Sequence, residues 1–128
     1  DISNRALEIS RRGIYNNENI QPLPAEWKQK YFQKYDEKSQ IIVDSIKKDV
    51  IFRRLNLMDR FFNFTQKFHV IFCRNVMIYF DVETKRELVN KFYNLTEDGG
   101  YLFIGHAESL IREETNYKFV MPAVYRKE

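Results

Sequence analysis

The sequence of 128 residues contains few of the residues that build metal sites and cofactor loops: one cysteine, two histidines and four glycines. The single cysteine, Cys73, excludes an internal disulfide framework and a cysteine-rich zinc site, and it suits the expected location, a reducing cytoplasm. His69 and His106 lack the close spacing of paired metal ligands, so no metal site is predicted. The four glycines form no glycine-rich phosphate or cofactor loop.

Long hydrophobic stretches and a strong charge bias are also missing. No apolar run approaches the ~18 residues that a transmembrane helix needs, so direct insertion into a membrane is not expected. The net charge is only +3, and the short basic pairs are interpreted as solvated surface, so no nucleic-acid partner is predicted. What is present is a composition of 44% hydrophobic and 16% aromatic residues, which is typical of one globular domain with a core.

The sequence begins with strand and helix signals. Asp1-Ile2 is predicted to be the last step of a strand. Ser3 or Asn4 can then cap a helix that runs to about Arg12, and Gly13 is expected to end it.

A second helix and a small sheet are predicted next. The helix is expected from about residue 25 to residue 34, because its apolar side chains recur at helical spacing and are interpreted as core: Trp27, Tyr31 and Phe32. Residues 41–43 and 49–55 are predicted as short strands that form a small antiparallel element.

The second half of the sequence contains the clearest pattern, a strand, a helix and another strand. Phe68–Cys73 is a nearly continuous apolar run, typical of a strand buried on both faces. Asp81 can cap a helix from Val82 to about Leu95. Asp98-Gly99-Gly100 turns the chain, and Tyr101–Ile104 is the next buried strand. This order predicts a right-handed βαβ unit of a parallel sheet. Two further strands are expected at a sheet edge, within residues 117–120 and 124–126.

Polar residues fall where the predicted strands end, which is where open α/β sheets bind ligands. An acidic side chain such as Asp1 can accept both hydroxyls of a ribose, and the amide of Asn56 can match an adenine edge. With Arg74-Asn75 at the next strand end, these positions indicate a nucleoside-like cofactor across the strand tips. Alternatives stay open, because Asn56 could be only a turn residue and Arg74 a structural ion-pair residue.

One segment resembles a known family closely. Phe72–Phe80, with the sequence FCRNVMIYF and Asp81 directly after it, resembles the signature of the chemotaxis-receptor methyltransferases, the CheR family. Gly105–Ser109, with the sequence GHAES, resembles a second family element after the next strand. The resemblance covers essentially all 128 residues. One departure is Phe68-His69, where the family usually has Phe-Asp.

The resemblance implies an α/β architecture. It would be part of a Rossmann-like S-adenosylmethionine-dependent methyltransferase fold, with a mostly parallel sheet, an antiparallel edge and a small antiparallel β-subdomain at residues 35–55. Residues 1–128 would be the C-terminal portion of that domain, without the family's N-terminal helical domain and glycine-rich cofactor loop. On that basis these residues alone are expected to be inactive and to associate through an open sheet edge.

The implied activity is O-methylation of glutamate side chains on methyl-accepting chemotaxis receptors in bacterial signal transduction. S-adenosylmethionine would be the cofactor and S-adenosylhomocysteine the product. The residues that would bind the cofactor are Asp1 at the ribose hydroxyls, Asn56 and Leu57 at the adenosyl group, and Cys73 and Arg74 at the next strand tip. The catalytic candidates are Arg74 and Tyr79, with Tyr79 near the donated methyl group.

The missing acid-base pattern does not argue against an enzyme, because a glutamate carboxylate is already a nucleophile at neutral pH. Two other functions stay open: a non-catalytic receptor-binding or scaffold module that kept the fold, and a methyltransferase with a different acceptor. Single residues also have simpler interpretations. Cys73 could be an inert buried thiol, Tyr79 a packing residue, Asp81 a helix cap only, and Glu108 a local cap or ion pair.

Overall fold

The computed structural model describes residues 1–128, which divide into two compact units, Asp1–Asn56 and Leu57–Glu128. The first unit contains helices α1 (Asn4–Arg12), α2 (Asn17–Ile20), α3 (Ala25–Tyr31) and α4 (Asp44–Lys47), and strands β1 (Ile14–Asn16), β2 (Phe32–Lys34) and β3 (Ser39–Ile42). The second contains strand β4 (Phe68–Cys73), helix α5 (Val82–Leu95), and strands β5 (Thr96–Ile104), β6 (Lys118–Met121) and β7 (Val124–Arg126), with short 3-10 turns at Met77–Tyr79 and Arg112–Glu114. None of these helices combines the length and apolar character needed to cross a membrane.

Helix α1 begins and ends as predicted. The hydroxyl of Ser3 accepts a hydrogen bond from the N–H of Ala6 at 3.2 Å, so Ser3 and not Asn4 is the cap. At the other end Gly13 has φ +65°, and its N–H donates to the carbonyl of Ile9 at 3.2 Å. Glycine adopts this left-handed conformation without the steric cost that a Cβ imposes.

Gly13→Ala is expected to lower the free energy of unfolding by about 1–2 kcal/mol, the cost of a left-handed alanine. The space around the new Cβ is ordinary, because its nearest neighbour would be the Cβ of Ile42 at 3.5 Å. Gly13→Asn should cost less, since asparagine enters the left-handed region more readily. Urea denaturation measures the free energy of unfolding of both variants. Equal losses of this free energy would indicate that the cost comes from packing and not from the backbone conformation.

The first unit contains the small antiparallel sheet, in the order β1-β3-β2. Its β2–β3 turn is closed by Asp36, whose carboxylate accepts from Ser39 N at 2.7 Å and Lys38 N at 2.8 Å. Hydrogen bonds from Ser39 and Lys38 lower the pKa of the Asp36 carboxyl. The sheet therefore uses strands between residues 14 and 42, and not the expected 35–55.

Three predictions for this unit are wrong. The strand expected at residues 49–55 is absent as a strand, and β3 pairs with β1 and β2 instead. The second helix ends at Tyr31, because the next residues join β3 as strand β2. Trp27 is 54% exposed and so is not a core residue. Sheet pairing with a distant partner has overridden local helical spacing at these positions.

In the second unit the predicted βαβ order is confirmed. The sheet order is β4-β5-β7-β6, with β4 and β5 parallel and α5 between them in sequence. However, β5–β7 and β7–β6 are antiparallel, so the expectation of a mostly parallel sheet is wrong for these strands. The antiparallel edge is confirmed.

The predicted turn at Asp98-Gly99-Gly100 lies inside strand β5. Between the paired positions Phe68↔Thr96 and Val70↔Tyr101, β5 advances five residues while β4 advances two. The additional residues include Gly99, with φ +83°. The turn prediction is therefore wrong, because these residues form an irregularity within a strand that begins at Thr96.

Helix α5 covers one face of this sheet. Its cap is Asp81, which accepts from the N–H of Thr84 at 2.8 Å, and this hydrogen bond lowers the pKa of the Asp81 carboxyl. The buried core residues are Cys73, Met77, Leu88, Val89, Phe92, Leu102, Ile104, Tyr117, Ala123 and Tyr125.

On the opposite face of the sheet, two side chains of β4 are exposed: Val70 is 42% exposed and Phe72 is 69% exposed. The prediction that Phe68–Cys73 is buried on both faces is therefore wrong, because alternate side chains of a strand point to opposite faces.

Candidate functional site

The two segments that resemble family elements meet at one edge of the second unit's sheet. Cys73 pairs with Ile104 in the parallel register of β4 and β5. Arg74 therefore leaves the sheet beside Gly105, at the carboxyl ends of neighbouring parallel strands. Ligands of α/β sheets bind at this kind of edge.

The loop after β4, residues 74–80, carries both catalytic candidates. Asn75 has φ +60°, which turns the chain out of the strand. Met77 is fully buried and anchors the 3-10 turn, whereas Arg74 is exposed and Tyr79 is 81% exposed. Tyr79 is therefore not a core-packing residue. The structure places Arg74 and Tyr79 in one loop, with side chains accessible to a substrate.

Glu108 lies beneath this loop and is only 6% exposed. One oxygen of its carboxylate, Oε2, accepts from the backbone N–H of Gly105 at 2.5 Å and of Asn75 at 3.3 Å. The other, Oε1, accepts from the N–H of Ile78 at 3.0 Å. Sequence reasoning interpreted Glu108 as a local cap or pair and missed its bonds to Ile78 and Asn75, which lie 30 and 33 positions away. The available signal was its place in the GHAES segment.

Gly105 is required where these two segments approach. A Cβ at this position would lie 2.5 Å from Oδ1 of Asn75 and 2.7 Å from Oε2 of Glu108. Real Cβ atoms do not come this close to other heavy atoms, so a larger residue would displace the loop or the carboxylate.

Cys73 ends β4 and is buried. Burial raises the pKa of its thiol to about 11, and the nearby negative charge of Glu108 acts in the same direction. Since the thiolate is the reactive form, the side chain is inert at neutral pH. Only the backbone of Cys73 remains a candidate to border a ligand.

We expect the thiol of Cys73 to resist alkylation by iodoacetamide at pH 7.5 in the folded protein and to react readily in concentrated urea. The raised pKa keeps the folded thiol protonated, so its contribution to stability is present below the ordinary value of 9.0 and lost as the pH rises towards 11. Mass spectrometry measures both rates. Rapid modification of the native protein would contradict the burial of this thiol.

Two other predicted binding residues, Asp1 and Asn56, lie in the first unit. The amino group of Asp1 donates to the carbonyl of Arg53 at 3.3 Å, and the N–H of Leu55 donates to the carbonyl of Asp1 at 2.9 Å. This is the bonding pattern of neighbouring parallel strands, over too short a length to form a regular strand. It brings Asp1 close to the segment that leads into Asn56, although the strand expected at residues 49–55 is absent.

The side chains of these two residues suit the hydrogen-bonding groups of a nucleoside. Oδ1 of Asp1 accepts from the N–H of Ser3 at 2.8 Å, and an exposed carboxylate has further acceptor capacity. Asn56 is half-buried, and an asparagine amide contains both donors and an acceptor. A carboxylate for the ribose hydroxyls and an amide for an adenine edge match the hydrogen-bonding groups of S-adenosylmethionine.

Leu57 belongs to the second unit and packs against its core. Lys91 on α5 holds the backbone of residues 57–59, because its ammonium donates to the carbonyls of Leu57 at 3.0 Å and Asp59 at 2.7 Å. The same ammonium lies 4.9 Å from the ring centroid of Phe62. Leu57 is thus fixed by packing and backbone bonds.

Comparison with known proteins supports the family resemblance of the two segments that meet at this edge. A family model described as CheR methyltransferase, SAM binding domain, matches residues 1–125. The chain belongs to the CheR family. S-adenosylmethionine is the cofactor of this family's domain.

Individual relatives of this CheR-family chain are chemotaxis methyltransferases. A chemotaxis protein methyltransferase of Borreliella burgdorferi is 45% identical over 127 residues, which are 99% of this chain and 44% of that protein. Those of Vibrio parahaemolyticus and Escherichia coli are 39% and 34% identical, over 86% and 98% of this chain and 40% and 45% of their own lengths. The chain therefore spans less than half the length of these relatives.

Proposed function

We propose that the full native protein carrying this CheR-family chain methylates glutamate side chains of chemotaxis receptors with S-adenosylmethionine. The observation that carries the proposal is the meeting of the FCRNVMIYF and GHAES segments at one sheet edge, with Arg74 and Tyr79 exposed on the loop between strand and helix. The relatives' shared name, chemotaxis protein methyltransferase, supports the reaction class.

For cofactor binding we propose one role for each candidate. The carboxylate of Asp1 would accept the ribose hydroxyls, and Asn56 and Leu57 would contact the adenosyl group through the amide and the apolar side chain. Cys73 would border the cofactor through its backbone, because its thiol is buried and protonated. Arg74 would extend that border from the exposed loop.

For catalysis the bound cofactor supplies a methyl group already activated by a sulfonium. The receptor glutamate is ionised at neutral pH, so this chain needs to orient it and not to deprotonate it. We propose that the guanidinium of Arg74 pairs with that carboxylate, a geometry that arginine forms well with two parallel hydrogen bonds. The hydroxyl of Tyr79 would fix the reacting oxygen by a further hydrogen bond.

The test uses the full native protein, S-adenosylmethionine labelled in its methyl group, and receptor-containing membranes. Label released as methanol by mild base identifies a carboxyl methyl ester and supports the proposal. Receptors whose methylation-region glutamates are replaced by alanine are the control and should remain unlabelled. Base-stable label would indicate another acceptor. Cofactor binding without transfer to any receptor would instead favour a non-catalytic module.

A further inference from the structure

The carboxylate of Glu108 has a role beyond the residues proposed above. We propose that Glu108 is a positioning residue for methyl transfer, because it fixes the backbone of the loop 74–80 that presents Arg74 and Tyr79. The inference rests on the proposed function for its catalytic consequence, while the structural connection itself is independent of it.

The connection consists of three backbone hydrogen bonds to one buried carboxylate. Gly105 and Asn75 donate to Oε2, and Ile78 donates to Oε1. Gly105 leaves the sheet after β5, whereas Asn75 and Ile78 belong to the loop after β4. A single side chain therefore joins the segments that follow two parallel strands.

A carboxylate suits this place better than any neutral side chain. Its two oxygens accept hydrogen bonds only, and here both face N–H donors. Glutamine has the same shape, but one of its two terminal groups is an NH₂ that would face an N–H. An isosteric change therefore removes part of the connection without opening a cavity, which separates the hydrogen bonds from the packing.

The loop depends on this carboxylate because Tyr79 is held mainly through its backbone. Its ring is 81% exposed, and its N–H donates within the loop to the carbonyl of Val76 at 3.2 Å. The turn is fixed on the sheet by the buried side chain of Met77, by the packing of Val76 and Phe80 against the core, and by the bond from Ile78 to Glu108. Ile78 directly precedes Tyr79, so loss of that bond would move the hydroxyl that the reaction needs in place.

The decisive experiment is a double-mutant cycle between Glu108→Gln and Tyr79→Phe in the full native protein. Alone, Glu108→Gln should lower kcat about tenfold to 100-fold, the cost of misplacing reacting groups by about 1 Å. In the Tyr79→Phe background it should lower kcat by less than about threefold, because the group it positions is already lost. Glu113→Gln changes an exposed glutamate of the 3-10 turn Arg112–Glu114; it is the matched control and should leave kcat unchanged.

A purely structural role predicts a different result. If Glu108→Gln lowers kcat by the same factor in both backgrounds, Glu108 only stabilises the fold and the proposal is wrong. Gly105→Ala is the second variant, because its Cβ would push Asn75 and the carboxylate apart. It should reproduce the loss of turnover and the non-additivity with Tyr79→Phe, and additive behaviour would count against the inference.

Amide hydrogen exchange tests the connection without using activity. In Glu108→Gln the amides of Ile78 and Asn75 should exchange about tenfold faster or more, while those of Leu88 and Val89 in α5 keep their protection. Unchanged exchange at Ile78 would overturn the proposed connection. Should the unmodified protein bind the cofactor but transfer no methyl group, the proposed function fails, and the exchange result still decides whether Glu108 fixes the loop.

Discussion

Tyr79→Phe in the full native protein is expected to lower kcat for receptor methylation about 100-fold and to leave the KM for S-adenosylmethionine within about threefold. The ring is 81% exposed at a loop turn, so removing only the hydroxyl should not disturb the core. An effect confined to kcat indicates an interaction made in the transition state and not in binding. Steady-state assays with labelled cofactor and receptor membranes measure both constants.

The control for this prediction is Tyr35→Phe, the same chemical change at a tyrosine that is 57% exposed in the first unit. It should keep the kcat of the unmodified protein. Normal turnover in Tyr79→Phe would remove the hydroxyl from the reaction. A parallel rise in KM with kcat unchanged would assign Tyr79 to cofactor binding instead.

Asn56→Ala should weaken binding of S-adenosylhomocysteine, the unreactive product, by about 1–3 kcal/mol. This corresponds to an increase in Kd of about 5-fold to 150-fold. The reason is that an adenine edge buried in the complex would lose a hydrogen-bonding partner. Isothermal titration calorimetry of the full native protein measures the change directly.

The matched control is Asn94→Ala, an exposed asparagine on α5, which should keep the original affinity. Thermal denaturation of both variants separates lost affinity from lost folding, since Asn56 also has contacts within the protein. Unchanged affinity in a folded Asn56→Ala protein would exclude this residue from the cofactor site.

Local chemistry made several elements predictable. Ser3 and Asp81 cap α1 and α5 as expected, and Gly13 ends α1 in the left-handed conformation. Helix α5 has the predicted bounds, Val82–Leu95. Caps and helical spacing depend on residues within about four positions of each other, so the sequence alone contains the necessary information.

Sheet partners were less predictable, because pairing depends on distant residues. The mixed alternation of apolar and charged residues at 49–55 predicts a strand, but β3 pairs with β1 and β2. Likewise β5 accepts an antiparallel neighbour, β7, and so the sheet of the second unit is mixed. Strand propensity indicates that a segment can be extended. It does not indicate which other segment lies beside it in the sheet.

By itself the sequence determined the family of this protein and the order of strand, helix and strand in its second unit. FCRNVMIYF spans the end of one predicted strand of a βαβ unit, and GHAES directly follows the other. Only the tertiary structure decided which face of β4 is covered, that Tyr79 is exposed, and that Glu108 bonds to the loop 74–80. The physical reason is that burial and hydrogen bonds between residues 30 positions apart depend on strand register and helix packing, which are properties of the folded chain and not of any local segment.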